Sequence, residues 1–271
     1  MNKVILVLVA GILLLPIWFA GVGSFQEMQG FFAMPPAWLP QNPTLENYGW
    51  VFSQALGVFA INTVIITVAT VVGSTVVSCM AAYAFAFYDW RGKKVLWLLL
   101  LAGIMIPVIS LIIPRFVVMR QLGLGGTRLA VILPALLSPG HLYLARNYFQ
   151  TIPSSLIDAA KIDGANEFQI LAKIVAPISR PIIACLAIFT AVGAMGDYLW
   201  PMLQLRKDAK RTLLIGLIAG VREYRGDVTD MVINPLGKQF AVAMVLLVPI
   251  LLVFFAASRY FTSALGGAVK E

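Results

Sequence analysis

Long apolar runs alternate with short polar interruptions along this chain, and that rhythm sets out its architecture. Residues 4–23 (VILVLVAGILLLPIWFAGVG) carry no charge, and neither does the longer run 55–88. Residues 95–114 (VLWLLLLAGIMIPVISLIIP) stop just before Arg115, and 239–258 (QFAVAMVLLVPILLVFFAAS) form another unbroken stretch. Two weaker runs complete the series, 129–145 around His141 and 181–205 around Asp197. A helix needs about 20 mostly apolar residues to cross a bilayer core. The pattern therefore predicts six transmembrane helices, at about 4–23, 57–86, 95–118, 129–148, 181–204 and 239–260. The expectation is an all-α membrane protein with a single transmembrane domain over 1–271 and polar connections at about 24–55, 119–128, 153–177 and 205–238. The first run exceeds the 7–15 residues of a signal-peptide core and reads as an uncleaved helix.

Composition agrees with the pattern. The chain is 60% hydrophobic with a mean hydropathy of +0.89, and only 12% of its residues are charged, against ~25% in soluble domains. The net charge of +8 does not imply nucleic acid, because the basic residues lie between spans and form no long run interleaved with aromatics. Cys79 and Cys185 both fall inside apolar runs and read as small buried hydrophobes, not as a disulfide. Charge does not orient the chain. With the N-terminus inside, the 20 lysines and arginines divide equally between the two sides. Only the cluster DWRGKK at 89–94 leans towards a cytoplasmic N-terminus.

The most unusual polar stretch is IDAAKIDGANEF at 157–168. Pro153 and Ser154-Ser155 open a helix, with Asp158 three residues after Ser155 in capping-box spacing. That helix ends at Gly164, which suits a left-handed C-cap. Asn166 caps a second helix with Gln169 at its third position, and Phe168, Leu171, Ala172 and Val175 share one helical face. The loop reads as a helix–turn–helix at the membrane surface. Ala159, Ala160 and Gly164 slim its turn enough to seat in another protein's groove; the alternative is an amphipathic linker resting on lipid headgroups.

Catalytic and nucleotide-binding chemistry is missing from the sequence. GLGGTR at 123–128 lacks the G-K-[ST] ending of a phosphate-binding loop, so this chain is not expected to bind ATP or another cofactor, and its energy source is expected on a partner. The one histidine, His141, stands apart from any metal-ligand spacing and suits a satisfied helix position. Asn62 and Pro107 fall within spans two and three. Asn62 suits an interhelical hydrogen bond or, less simply, a substrate contact, and Pro107 a helix kink.

The loop also resembles the EAA motif of ABC-importer permeases. Asp158-Ala159-Ala160 is followed after three intervening residues by Gly164, and after nine more by Ile174 and then Ala176-Pro177. Asp158 stands where the motif has glutamate, and Ala176 where it has leucine. TLENYGWVF (44–52), INT (61–63), AAYAFAFYDWRGKK (81–94), ILPALL (132–137), GDYLWP (196–201) and GGAVKE (266–271) are similar, in order, to the smaller permease of the maltose-type pair in the carbohydrate-uptake branch. The resemblance implies a permease subunit of the bacterial inner membrane with both termini cytoplasmic, working by alternating access. Its implied partners are a second homologous permease, two ATPase subunits, an extracellular binding protein and membrane lipid, without nucleic acid.

Coupling to the ATPase then falls on Asp158, Ala159, Ala160, Asp163, Gly164 and Ala165, with Gly267, Val269 and Lys270 as a tail reaching the ATPase or as unstructured chain. Along the substrate path, Asp197, Tyr198 and Trp200 suit a sugar's hydroxyls and ring faces, or form an interfacial aromatic anchor. Arg115 either snorkels to the interface or selects an acidic sugar. The rival expectation is an ion-coupled secondary transporter working without an ATPase.

Overall fold

The computed structural model of the chain describes residues 3–32, 38–224 and 235–266. Among these, the helices in chain order are α1 (Lys3–Ser24), α2 (Glu46–Ser53), α3 (Leu56–Phe87), α4 (Lys93–Met105), α5 (Ile112–Gln121), α6 (Arg128–Ile132) and α7 (Pro139–Phe149). They continue as α8 (Ser154–Ile162), α9 (Glu167–Ile170), α10 (Ala176–Ile178), α11 (Arg180–Gly196), α12 (Leu199–Gln204), α13 (Leu213–Tyr224) and α14 (Pro235–Gly266). The only extended pairing among the described residues is an isolated bridge between Gln26 and Pro43, so the fold is all-α.

Three helices are long and apolar enough to cross a membrane alone: α1, α3 and the part of α14 from Leu236 to Phe255. Three bent pairs raise the number to six, at Lys93–Met105 with Val108–Gln121 (104°), Arg128–Ala135 with Pro139–Phe149 (41°), and Glu167–Ile178 with Arg180–Gly196 (86°).

The bends correct two expectations. The stretch 95–118 is no single kinked helix. It stops at Met105, passes through extended Ile106 and Pro107 (ψ 121° and 127°) and restarts in a turn at Val108–Leu111. Proline has no N–H to continue the helix and pushes the residue before it out of the helical region, so the chain breaks where a kink was expected. The stretch 181–204 is likewise interrupted. Helix α11 ends at Gly196, Asp197 is extended (ψ 116°), and α12 begins at Leu199. Asp197 thus lies at a helix break, not within a continuous span. The connections 24–55 and 205–238 also contain helix, namely α2 and α13.

The chain divides into two compact units. One comprises 1–62 and 208–251, with a core of Val51, Phe59, Leu217, Val221, Ala241 and Val242. Glycines admit rings here: a Cβ on Gly216 would come within 2.4 Å of the Phe59 ring, and one on Gly23 within 2.6 Å of Phe240. Asn62 is 1% exposed, and its amide donates to the carbonyls of Ala209 (2.9 Å) and Arg211 (3.0 Å). That is the hydrogen-bonding role expected of a polar residue in an apolar helix, directed at backbone.

The other unit comprises 63–207 and 252–271. Its larger core joins Ala82, Tyr83 and Phe85 of α3 to Leu142, Ala145 and Phe149 of α7, and to Ile157 and Ala160 of α8. Ile170, Val175 and Leu186 close the same cluster. A second cluster gathers Ile66, Met119, Ala130, Val131, Ile132, Trp200 and Leu205.

Candidate functional site

The α8–α9 loop is built largely as its sequence predicts. Gly164 takes φ +80°, the left-handed conformation that a side chain makes costly. Asn166 and Gln169 form a reciprocal capping box, each side-chain oxygen accepting from the other residue's backbone N–H at 2.9 Å. The box expected at Ser155 and Asp158 is not formed. Pro153 occupies the N-cap with no side-chain bond, so Ser155 already lies inside the first turn.

The expected apolar face forms only in part. Val175 is fully buried and Leu171 packs half-buried against the core, but Phe168 is 70% exposed, Ala172 is exposed, and Ile170, from outside that face, is fully buried. The cause is a π-helical turn at Leu171–Val175. Its i→i+5 repeat inserts an extra residue and brings positions five apart onto one side.

The loop consequently has two contrasting faces. Ile157 and Ala160, three residues apart on α8, enter the core with Ile170 and Val175, while Ala165 packs half-buried against them. Outward face Asp158, Ala159, Asp163 and Gly164, together with Ile162 at 86% and Phe168 at 70% exposure. Of the residues expected to meet an ATPase, Ala160 therefore packs within the chain itself. The tail residues Gly267, Val269 and Lys270 lie outside the described residues.

A polar latch fastens the loop to the end of α3. The Tyr83 hydroxyl donates to Glu167 Oε2 at 2.7 Å, Lys161 Nζ lies 3.7 Å from Glu167 Oε1, and the same ammonium sits 4.7 Å from the centre of the Tyr88 ring. The hydroxyls of Tyr88 and Tyr83 hold the Glu167 carboxyl below the usual carboxylate range, and Lys161 is raised chiefly by Tyr88. Of the two tyrosines, only Tyr83 reaches Glu167 in good hydrogen-bond geometry. Sequence reasoning passed over Tyr83, Lys161 and Glu167, although an acid and a base flanking Gly164 were visible in the motif.

Arg115, Asp197 and Trp200, three of the residues expected along a substrate path, are brought together. Arg115 Nη2 donates to the Pro134 carbonyl at 3.1 Å, and its guanidinium lies 5.8 Å from the Trp200 ring centre. Trp200 Nε1 donates to the Ala130 carbonyl at 3.0 Å, and its backbone N–H to Asp197 Oδ1 at 3.3 Å. Asp197 thereby caps α12. Trp200 is only 5% exposed, so its ring is no open stacking platform in this conformation. His141 is paired through Nδ1 with the Thr190 hydroxyl at 3.4 Å.

Three long apolar helices, three bent apolar pairs and a helix–turn–helix carrying an EAA-like motif together have the form of a transport permease of the ABC-importer type. The chain belongs to the family of binding-protein-dependent transport system inner membrane components, matched over residues 74–265. It is 36% identical over 235 residues to the arabinooligosaccharides transport system permease protein AraQ of Halalkalibacterium halodurans, covering 85% of this chain and 81% of that protein. It is also 29% identical over 270 residues to the sn-glycerol-3-phosphate transport system permease protein UgpE of Rhizobium meliloti, covering 96% and 94%. A bacterial ABC transporter involved in import of the acidic polysaccharide alginate superposes with a TM-score of 0.82 at 27% identity, covering 96% of this chain and 95% of that one. The protein is an inner-membrane permease component of an ABC importer and is not itself catalytic. Family membership sets aside the ion-coupled secondary transporter.

Proposed function

We propose that this permease moves a carbohydrate, delivered by an external binding protein, through a pathway shared with a second, homologous permease, as one transmembrane domain. Two of the three relatives compared take up saccharides by name. ATP hydrolysis on two partner subunits, which hold the nucleotide and its magnesium, drives alternating access, and this chain carries no cofactor. The α8–α9 loop docks on one ATPase, which places it and both chain termini in the cytoplasm.

The single observation carrying the coupling role is the loop's division of faces. Its inner side is fixed by Ile157, Ala160, Ile170 and Val175, while Ile162 and Phe168 stand exposed beside the slim Ala159–Gly164 turn. Large exposed apolar side chains on an anchored base suit a protein partner. When the ATPases close, the loop moves, and the Tyr83–Glu167 latch passes that displacement to α3.

The test is to extract the tagged chain in mild detergent and ask whether an ATP-hydrolysing subunit accompanies it. Stoichiometric ATPase, lost in Gly164→Asp while the variant still reaches the membrane, is the expected result. A chain that purifies alone and still transports would overturn the reading.

A further inference from the structure

A second polar site lies on the turn between α3 and α4, and nothing in the coupling mechanism uses it. A cavity of about 510 Å³ elsewhere in the chain is wholly apolar in its lining (Leu14, Trp18, Met244 and neighbours), but this one, of about 460 Å³, is lined by Asp89, Trp90, Lys93, Lys94, Trp97 and Arg146 among others. Three cations therefore face one carboxylate. That carboxylate is already engaged by Lys93 Nζ at 2.9 Å, and Lys93 is further pinned by the Tyr88 carbonyl at 2.6 Å.

Arg146 is held as a platform. Its guanidinium lies 4.2 Å from the Trp97 ring centre, and its Nε donates to the Phe85 carbonyl at 3.4 Å. Its two terminal amino groups have no further partner among the described residues, and neither does the Lys94 ammonium. A fixed guanidinium with free terminal N–H groups matches the geometry of phosphate oxygens.

The surroundings identify the source of the phosphate. Trp90, Trp97 and Tyr143 are grouped, with Trp97 stacked on Tyr143 at 6.2 Å, and such amphipathic rings mark the headgroup level of a bilayer. Directly beyond, α4 exposes Val95 (63%), Leu98 (64%) and Leu99 (64%), an aliphatic track suited to acyl chains. We infer that this pocket binds the phosphate of an anionic phospholipid, with its acyl chains lying along α4. Basic side chains beside the membrane surface each favour anionic lipid by about fivefold in affinity.

The experiment uses the full-length chain, purified in mild detergent, stripped of lipid and offered phosphatidylglycerol, phosphatidylcholine or inorganic phosphate. Retained lipid and thermal stability are both measured. Phosphatidylglycerol should be retained in preference to phosphatidylcholine and should raise the melting temperature. Lys94→Gln, at an exposed position that does not support the fold, should weaken that retention about fivefold, and Asp89→Asn should strengthen it. Equal retention of the two lipids would overturn the inference, as would unchanged retention in Lys94→Gln. Stabilisation by inorganic phosphate equal to that by phosphatidylglycerol would do so too, marking a site for a soluble anion.

Discussion

The α8–α9 loop and the Arg115–Trp200 cluster are both polar islands in an apolar chain, and they dispose of their polarity in opposite ways. In the cluster the side chains are satisfied by backbone: Arg115 and Trp200 donate to the carbonyls of Pro134 and Ala130, and Asp197 accepts from the backbone N–H of Trp200. The loop keeps its polar latch at the base and turns Ile162 and Phe168 outward. The self-satisfied cluster is closed in this conformation, so a substrate has to displace existing contacts to use it. The loop is packed on one side only, and its outer side leaves Ile162 and Phe168 uncovered among the described residues.

Breaking the loop's inner side should have the largest effect. Ala160→Asp places a carboxylate in the core cluster, 5% exposed in the parent, and should cost more than about 3 kcal/mol. Its neighbour Ala159→Asp, on the exposed side, should leave the melting temperature within error and instead reduce recovery of the ATPase. If both variants melt alike, the two-faced description fails.

Cutting the latch is the next test. Tyr83→Phe removes the hydroxyl bonded to the Glu167 carboxylate and should cost about 1.5 kcal/mol. ATP hydrolysed per substrate imported should rise, with ATPase recovery unchanged.

The cluster answers to a different measurement. Arg115→Leu should depress uptake of an anionic saccharide more than that of a neutral one, and equal depression of both would remove Arg115 from substrate choice.

The smallest effect is that of pH. Because the folded chain holds Glu167 below its ordinary value of 4.5, the latch's contribution is complete above that value and is lost as pH falls through and below it. Lys161 is raised above 10.5, so its contribution is complete below that value and is lost only at more alkaline pH. Coupling should therefore be flat with respect to this latch across neutral pH. Because both side chains are substantially exposed (39% and 52%), the ion pair itself adds little.

How much of this was legible in the sequence depends on the kind of signal. The apolar pattern alone marked out the three long helices that the structure shows unbroken, because twenty apolar residues leave few alternatives in a membrane protein. The breaks at Ile106–Pro107 and at Asp197 were not legible: a proline or aspartate within an apolar run is compatible with a kink, a break or a snorkelling side chain. In the loop, Gly164 and the Asn166–Gln169 box could be read because each is a local backbone device. The burial of Ile170 in place of Phe168 could not, since the π turn depends on packing against α3, α7 and α11. The latch escaped for a related reason: Tyr83 and Glu167 are 84 residues apart, and no periodicity links them.

Helix α3 carries a mechanical consequence of its own. Its 32 residues span about 48 Å at 1.5 Å per residue, against a hydrocarbon slab of about 30 Å. Even at a steep 40° tilt, about 37 Å would remain along the membrane normal. The rod is too long to be hidden, so part of it stands clear of the oil. Tyr83, four residues before the helix ends at Phe87, sits about 6 Å along the axis from one end of that rod, so the latch holds α3 close to its tip.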